Sequence, residues 1–305
     1  MTAVVVTTDS VGGSGKATSN PLRHPGSPLL ETLLQLDTDF HDASLIEKAR
    51  HRAMSYLQEL STCYSERSGS DEASECFLKA LLEGRDLAPA PQPAVPSQNT
   101  ATTTLAEGRG SCAALIATVL ALTEPFGGPF EAVVLREHVL LGSRDAPNRY
   151  YEVLEGGRPL KNAELGRYEP FPPGGPIRVG GSEYLAYYLD NLAARLAEAD
   201  EPQAADETFQ KALQLAPGAA RVHYNYGTFL LQRDRFEFAE MHLTRAIRMG
   251  WKDPDAFVNR GASRWKLGRM RPARRDFERA LKLDPGNRRA ASNLRMLGEF
   301  KANSR

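Results

Sequence analysis

Two heptapeptides 34 residues apart decide the architecture of the C-terminal half: Asn225-Tyr226-Gly227-Thr228-Phe229-Leu230-Leu231 and Asn259-Arg260-Gly261-Ala262-Ser263-Arg264-Trp265. Each places a glycine two residues after an asparagine inside otherwise helix-forming sequence. Asn191 and Ala193 hold the same two places one period earlier. Further landmarks keep the interval: Ala205, Ala239 and Ala273, then Phe209, Leu243 and Phe277, then Ala212, Ala246 and Ala280. Pro217 and Pro285 close the first and third units, and Trp251 stands at that place in the second.

Small residues recurring where paired helices cross, at a sustained period of 34, are the tetratricopeptide signature. Three repeats within 182–287, starting near Ala186, Ala220 and Pro254, and an amphipathic capping helix over 288–301, predict a short all-α solenoid. Asn191, Asn225, Asn259 and Asn293 recur at a first-helix position that tends to face the concave groove of such solenoids. A carboxamide both donates and accepts, so this ladder suits the backbone of an extended peptide. The other reading is that asparagine is simply common at this repeat position. Tyr224, Leu231 and Trp265 are expected to add apolar contact in the same groove, and a protein or peptide is the partner this implies.

Upstream, Gly110-Ser111-Cys112-Ala113-Ala114-Leu115-Ile116-Ala117 sets one thiol at the first turn of an apolar helix that runs uncharged to Leu122. Gly108, Gly110 and Ser111 supply the turn and the N-cap. Free backbone N–H groups and the helix dipole stabilise a thiolate at such a position, the chemistry a nucleophile needs. The bland alternative is a small core cysteine. After the break at Glu124 to Pro129, Phe130 to Leu135 and Arg149 to Leu154 have strand composition about a turn at Asp145 to Asn148, with a third short strand over 176–179. His138 and Glu152 then lie on neighbouring strands, where an imidazole and a carboxylate can meet side by side. Glu155 is an alternative acid. Gln98 and Asn99 are candidate oxyanion donors beside the Cys112 backbone N–H.

Helices over 29–36, 43–60 and about 71–82 make a helical opening segment, 28–85. Prolines 89, 91, 93 and 96 exclude helix and central strand from 86–98, an extended connection. Residues 1–27, rich in Thr, Ser, Gly and Pro, read as a disordered leader. At 305 residues, about two domains are expected. The 38 basic and 38 acidic residues balance, which gives no reason to expect nucleic acid or an anionic membrane as partner. Residues 254–305 carry 14 Lys and Arg against 5 Asp and Glu, leaving 24 against 33 elsewhere, so the C-terminal face is basic. It could attract an acidic partner or the chain's own acidic part. Cys63, Cys76 and Cys112 are too few and too irregular for a zinc site or a disulfide framework. A reducing, cytoplasmic setting is the simplest expectation; under export, Cys63 and Cys76 could pair and leave Cys112 free. Neither a signal peptide nor a membrane span is read in the sequence. No metal or organic cofactor is suggested by any spacing.

A helix-borne cysteine, a strand-borne histidine and an acid on the next strand, in that order, resemble the transglutaminase-like superfamily, relatives of the papain fold. Leu105-Ala-Glu-Gly-Arg-Gly110, His138-Val-Leu-Leu141 and Tyr151-Glu152-Val-Leu-Glu-Gly-Gly157, followed by the repeats, resemble bacterial proteins of the SirB type over about 28–300. Here the acid is Glu152 where the family pattern has aspartate, and the 26 residues from Cys112 to His138 are a short spacing. The resemblance implies an α+β, transglutaminase-like domain over 28–180, with its catalytic-type helix and sheet over 99–180, followed by the all-α solenoid. It implies a cysteine enzyme acting on peptide amides through a thioester, Cys112, His138 and Glu152 forming the triad. The rival expectations are a non-catalytic scaffold whose repeats do the work and, more remotely, a redox-sensing thiol.

Overall fold

The computed structural model describes residues 27–303 apart from 67–69, 84–86, 91–99, 137, 170 and 174. The expected leader and most of the proline-rich connection lie outside the described residues. Helices α1 (Pro28–Leu36), α2 (Ala43–Glu66) and α3 (Ser70–Leu78) form the opening segment. Strand β1 (Ala88–Pro89) pairs in parallel with β2 (Arg109–Gly110), on either side of α4 (Ala101–Glu107). Helix α5 (Cys112–Thr123) follows, then β3 (Phe130–Val134), β4 (Val139–Ser143), β5 (Tyr150–Glu152), β6 (Arg158–Leu160) and β7 (Ile177–Val179). These five strands form one antiparallel sheet in the order β6-β5-β4-β3-β7.

Every residue of α5 from Ala113 to Thr123 is buried, as expected of a helix apolar on all sides. The core around it takes side chains from α1, α2, α4, the sheet and the first solenoid helix. The structure corrects the expected α+β, transglutaminase-like (papain-related) class. Helices account for 69% of the structure, and strands β3 to β7 are only three to five residues long. The β-branched runs at 130–135 and 149–154 signal that strands exist. They carry no information on how much of the chain packs as helix around them, and here helices supply most of the core.

The solenoid is built from helix pairs α6 (Gly181–Glu198) and α7 (Pro202–Leu215), α8 (Ala220–Gln232) and α9 (Phe236–Arg248), α10 (Pro254–Lys266) and α11 (Met270–Leu283), then α12 (Arg288–Asn303). Helix α6 belongs to both halves. Tyr184, Leu185, Tyr187, Tyr188 and Leu189 lie in the core around α5, whereas Leu192, Ala193 and Leu196 pack on the repeats. The Tyr188 hydroxyl donates to Asp37 at 3.0 Å and accepts from the Ala101 backbone N–H at 3.0 Å, tying α6 to α4 and to the turn after α1. Burial raises the Asp37 carboxyl above its ordinary range, and hydrogen bonds from Thr102 and Tyr188 oppose this.

The recurring small residues sit where the helices of a pair cross. A Cβ added at Gly261 would lie 2.6 Å from Phe277 Cε1, within a ring that is fully buried. Overpacking of this kind costs about 1–3 kcal/mol, against a helix-propensity gain of about 1 kcal/mol. Gly261→Ala is therefore expected to lower stability by about 1 kcal/mol in urea unfolding, whereas the same change at exposed helix positions would raise it. A further landmark sits in the turns within the repeats. Asp200, Asp234 and Gly268, again 34 apart, all take left-handed backbone, with φ of 60°, 58° and 73°.

Cys63 on α2 and Cys76 on α3 form a disulfide with Cα atoms 5.7 Å apart, leaving Cys112 as the free cysteine. This is the pairing that the sequence leaves open for these two cysteines. Helix packing brings the two sulfurs together, which their spacing of 13 residues does not announce. Among the described residues, no helix is long and apolar enough to cross a membrane.

Candidate functional site

Cys112 is the first residue of α5, and the Ser111 hydroxyl caps that helix by accepting from the Ala114 N–H at 3.3 Å. The thiol is half-buried. Below it, the buried Tyr184 hydroxyl donates to the Ala113 carbonyl at 3.1 Å, fixing the start of α5 against α6. His138 was expected on a strand. It instead lies in the β3–β4 turn, one residue before β4, with the Leu135 N–H donating to its carbonyl at 2.9 Å. Glu152 ends β5, buried at 3% exposure. Strand β4 pairs with β5, which brings the residue before β4 near the end of β5.

His138 Nε2 lies 2.9 Å from Glu152 Oε2 and donates to it. Cys112 lies near enough to act on the imidazole electrostatically. Burial alone would lower the imidazole pKa. The hydrogen bonds and negative charges of Cys112 and Glu152 outweigh burial and push it up to about 9. Burial acts on Glu152 in the raising direction, yet the bonds from His138 and Tyr168 hold its carboxyl below the ordinary value. The resting imidazole is thus a cation at neutral pH, between a carboxylate and the sulfur.

Tyr168 was not read from the sequence. Its hydroxyl donates to Glu152 Oε2 at 2.5 Å, and its ring stacks on the imidazole with centroids 5.1 Å apart and planes 6° from parallel. It lies in a 3-10 segment spanning Asn162–Tyr168, where no periodicity marks it. Glu152 also accepts from the Leu154 N–H at 3.0 Å, so both carboxylate oxygens are engaged. Glu155, the alternative acid, is exposed and pairs with Arg158 at 2.6 Å and Arg167 at 3.6 Å. Gln98 and Asn99 lie outside the described residues.

The asparagine ladder is largely spent within the chain. Asn225 Nδ2 donates to both carboxylate oxygens of Asp190, at 3.0 and 2.8 Å. Asn259 is 2% exposed, donates to the Thr228 hydroxyl at 3.0 Å and accepts from Arg289 at 2.7 Å. Asn191 and Asn293 are half-buried on α6 and α12. Tyr224 stacks on Trp251 with centroids 5.5 Å apart, and Ile177 of β7 packs on the same cluster. Leu231 packs on the cluster of the first two repeats, and Trp265 on that joining the third repeat to α12. Whether a polar group on such a face is free or already bonded depends on the neighbouring helix and was not legible. Among the described residues, no group of three or more His, Cys, Asp or Glu is placed to hold a metal ion.

The tetratricopeptide-repeat family model matches residues 254–287, the third repeat. The chain is 29% identical over 109 residues to U-box domain-containing protein 70 of Oryza sativa subsp. japonica, which covers 36% of this chain and 13% of that protein. It is 30% identical over 138 residues to serine/threonine-protein phosphatase 5 of Mus musculus, covering 45% and 26% respectively. The chain thus spans about a quarter or less of the length of these relatives. Among solved structures, the first TPR domain of the human RPAP3 protein is similar at 23% identity and a TM-score of 0.38, over 40% of this chain and 95% of that one. The first TPR of Spaghetti (RPAP3), bound to an HSP90 peptide, is similar at 24% identity and a TM-score of 0.37, over 38% and 93%. The family match is to a tetratricopeptide repeat, and the two solved structures are TPR domains by their descriptions. They lend no support to the transglutaminase-like, SirB-type and bacterial assignment.

Proposed function

We propose that the chain is a protein-interaction scaffold whose tetratricopeptide repeats take a protein or peptide partner. The observation that carries this reading is the repeat array itself, periodic in sequence and stacked as helix pairs, with its third unit matched by the repeat family. The test is selection of binding peptides from a displayed library on the full chain, followed by calorimetry. A selected peptide is expected to bind Cys112→Ala as tightly as the native chain and to bind Asn293→Ala at least severalfold more weakly. Failure to select any peptide, or loss of binding with Cys112→Ala alone, would overturn it.

A second reading is favoured by one specific observation, an imidazole bonded to the Glu152 carboxylate at 2.9 Å and raised in pKa by Cys112 at the start of α5. We propose that this is a nucleophilic thiol site. The sulfur attacks an amide carbonyl carbon, and the electron pair of the C=O moves onto oxygen. Collapse breaks the C–N bond, with the His138 proton passing to the departing amine and a thioester left on Cys112. Water or an amine then attacks the thioester, gives up a proton to His138 and frees the thiolate. Water makes the site an amidase or protease, an amine a transferase.

A further inference from the structure

Two side chains of the solenoid reach out of the repeats to the turn that carries His138. Arg221, on α8, donates from Nη1 to the Leu135 carbonyl at 2.8 Å. Leu135 in turn donates its N–H to the His138 carbonyl at 2.9 Å, so one backbone unit joins the solenoid to the histidine. Arg221 is 9% exposed and is itself held by Asp190, at 3.2 Å from Nε, whose carboxylate takes both bonds from Asn225. The neighbouring residue of the turn is held separately. Arg136 Nη2 lies 2.6 Å from Asp253 Oδ2, while Asp253 Oδ1 caps α10 by accepting from the Asp255 N–H at 2.8 Å. Asp253 is 3% exposed and Arg136 a third exposed, so the ion pair runs from the buried start of α10 to the partly open turn.

We propose that the repeats position the imidazole: Arg221 and Asp253 clamp the β3–β4 turn at Leu135 and Arg136, and this clamp holds His138 between Cys112 and Glu152. The proposal rests on the thiol-site reading above. Among the described residues, the contacts of Arg221 and Asp253 go to the turn and to the solenoid, so both are positioning residues. The argument is geometric. His138 lies outside regular strand structure, two residues beyond Arg136 and three beyond Leu135, and among the described residues the Leu135 to His138 bond closes the turn on the sheet side. A misplacement of about 1 Å at such a group is enough to cost on the order of a hundredfold in rate. The clamp also gives Asn225 a different task from the one its periodicity suggests, namely holding the Asp190 and Arg221 pair.

The test is the pH profile of Cys112 alkylation by iodoacetamide, read by peptide mass spectrometry on the full chain. The variants are Asp253→Asn, Arg136→Gln and Arg136→Lys. Asparagine is a good N-cap, so Asp253→Asn keeps the start of α10 while removing the charge. Arg136 is a third exposed, so Arg136→Gln carries the test if the change at Asp253 disturbs folding. Asp253→Asn and Arg136→Gln are each expected to slow alkylation at pH 6 by about tenfold and to move the profile up by about one pH unit, while Arg136→Lys stays near the native profile. Thermal unfolding followed alongside separates loss of position from loss of fold. A fast native profile left in place by both Asp253→Asn and Arg136→Gln would overturn the clamp and spare the thiol site. A native profile like that of an ordinary thiol would overturn the site itself, and the clamp with it.

Discussion

Replacing His138 with alanine is expected to slow alkylation of Cys112 at pH 6 by roughly tenfold to a hundredfold, with little change at pH 10. A free thiol with a pKa near 8.5 is only roughly 0.3% thiolate at pH 6. Cys112 and Glu152 together raise His138 to about 9, against burial, which pulls the other way. A second readout follows from the sign of that shift. The folded-state value lies above the ordinary 6.5, so the pairing's contribution to stability is complete below about pH 6.5 and is lost as pH rises through about 9. The native chain should therefore unfold at lower urea at pH 9.5 than at pH 6.5, and His138→Ala should flatten that difference. Equal alkylation of the native chain and His138→Ala at pH 6 would remove the nucleophile reading and leave the scaffold reading alone.

Arg221→Met is expected to destabilise the fold by about 3–5 kcal/mol, because it strands a carboxylate that has no exposure to water. Burial raises the Asp190 carboxyl above its ordinary range, and the charge of Arg221, with bonds from Asn225 and Arg221, opposes this. Without Arg221 the burial effect stands against Asn225 alone, so Asp190 should take up a proton more readily and the loss of stability should be smaller at pH 5 than at pH 8. The Leu135 carbonyl also loses its donor. The double variant Arg221→Met with Asp190→Leu should recover much of the loss, since apolar replacement of both members of a buried pair is often close to neutral. Urea unfolding of the four chains measures the coupling directly. Additive losses would mean that the two side chains do not act as a unit.

The site was partly legible because its pieces are local. Ser111 followed by an uncharged run announces the start of α5. The turn at Asp145 to Asn148 brings β4 and β5 together, which sets Glu152 near His138. Tyr168 was missed because it approaches from a 3-10 segment without a pattern, and its stacking on the imidazole depends on how that segment folds back over the sheet. His138 was placed one residue too far into a strand, since strand ends are set by the last ladder hydrogen bond rather than by composition. The alternative acid Glu155 lies beyond the end of β5, in the 3-10 turn Val153–Glu155, where it is exposed and bonded to Arg158 and Arg167.

By itself the sequence determined the repeat: a period of 34, the crossing positions at Gly227 and Gly261, and the helix pairs around them. Such information is local, because each repeat contacts mainly its neighbours and every landmark recurs. It also placed a thiol at a helix start and an imidazole and a carboxylate within reach of one another. The tertiary structure alone decided the weight of helix over sheet, the pairing of Cys63 with Cys76, the commitment of Asn225 and Asn259 to partners inside the chain, and the hold of Arg221 and Asp253 on the His138 turn. Those contacts join residues from 13 to 117 positions apart. Their partners are chosen by which helix packs against which strand, and no periodicity in one segment records what another will bring to it.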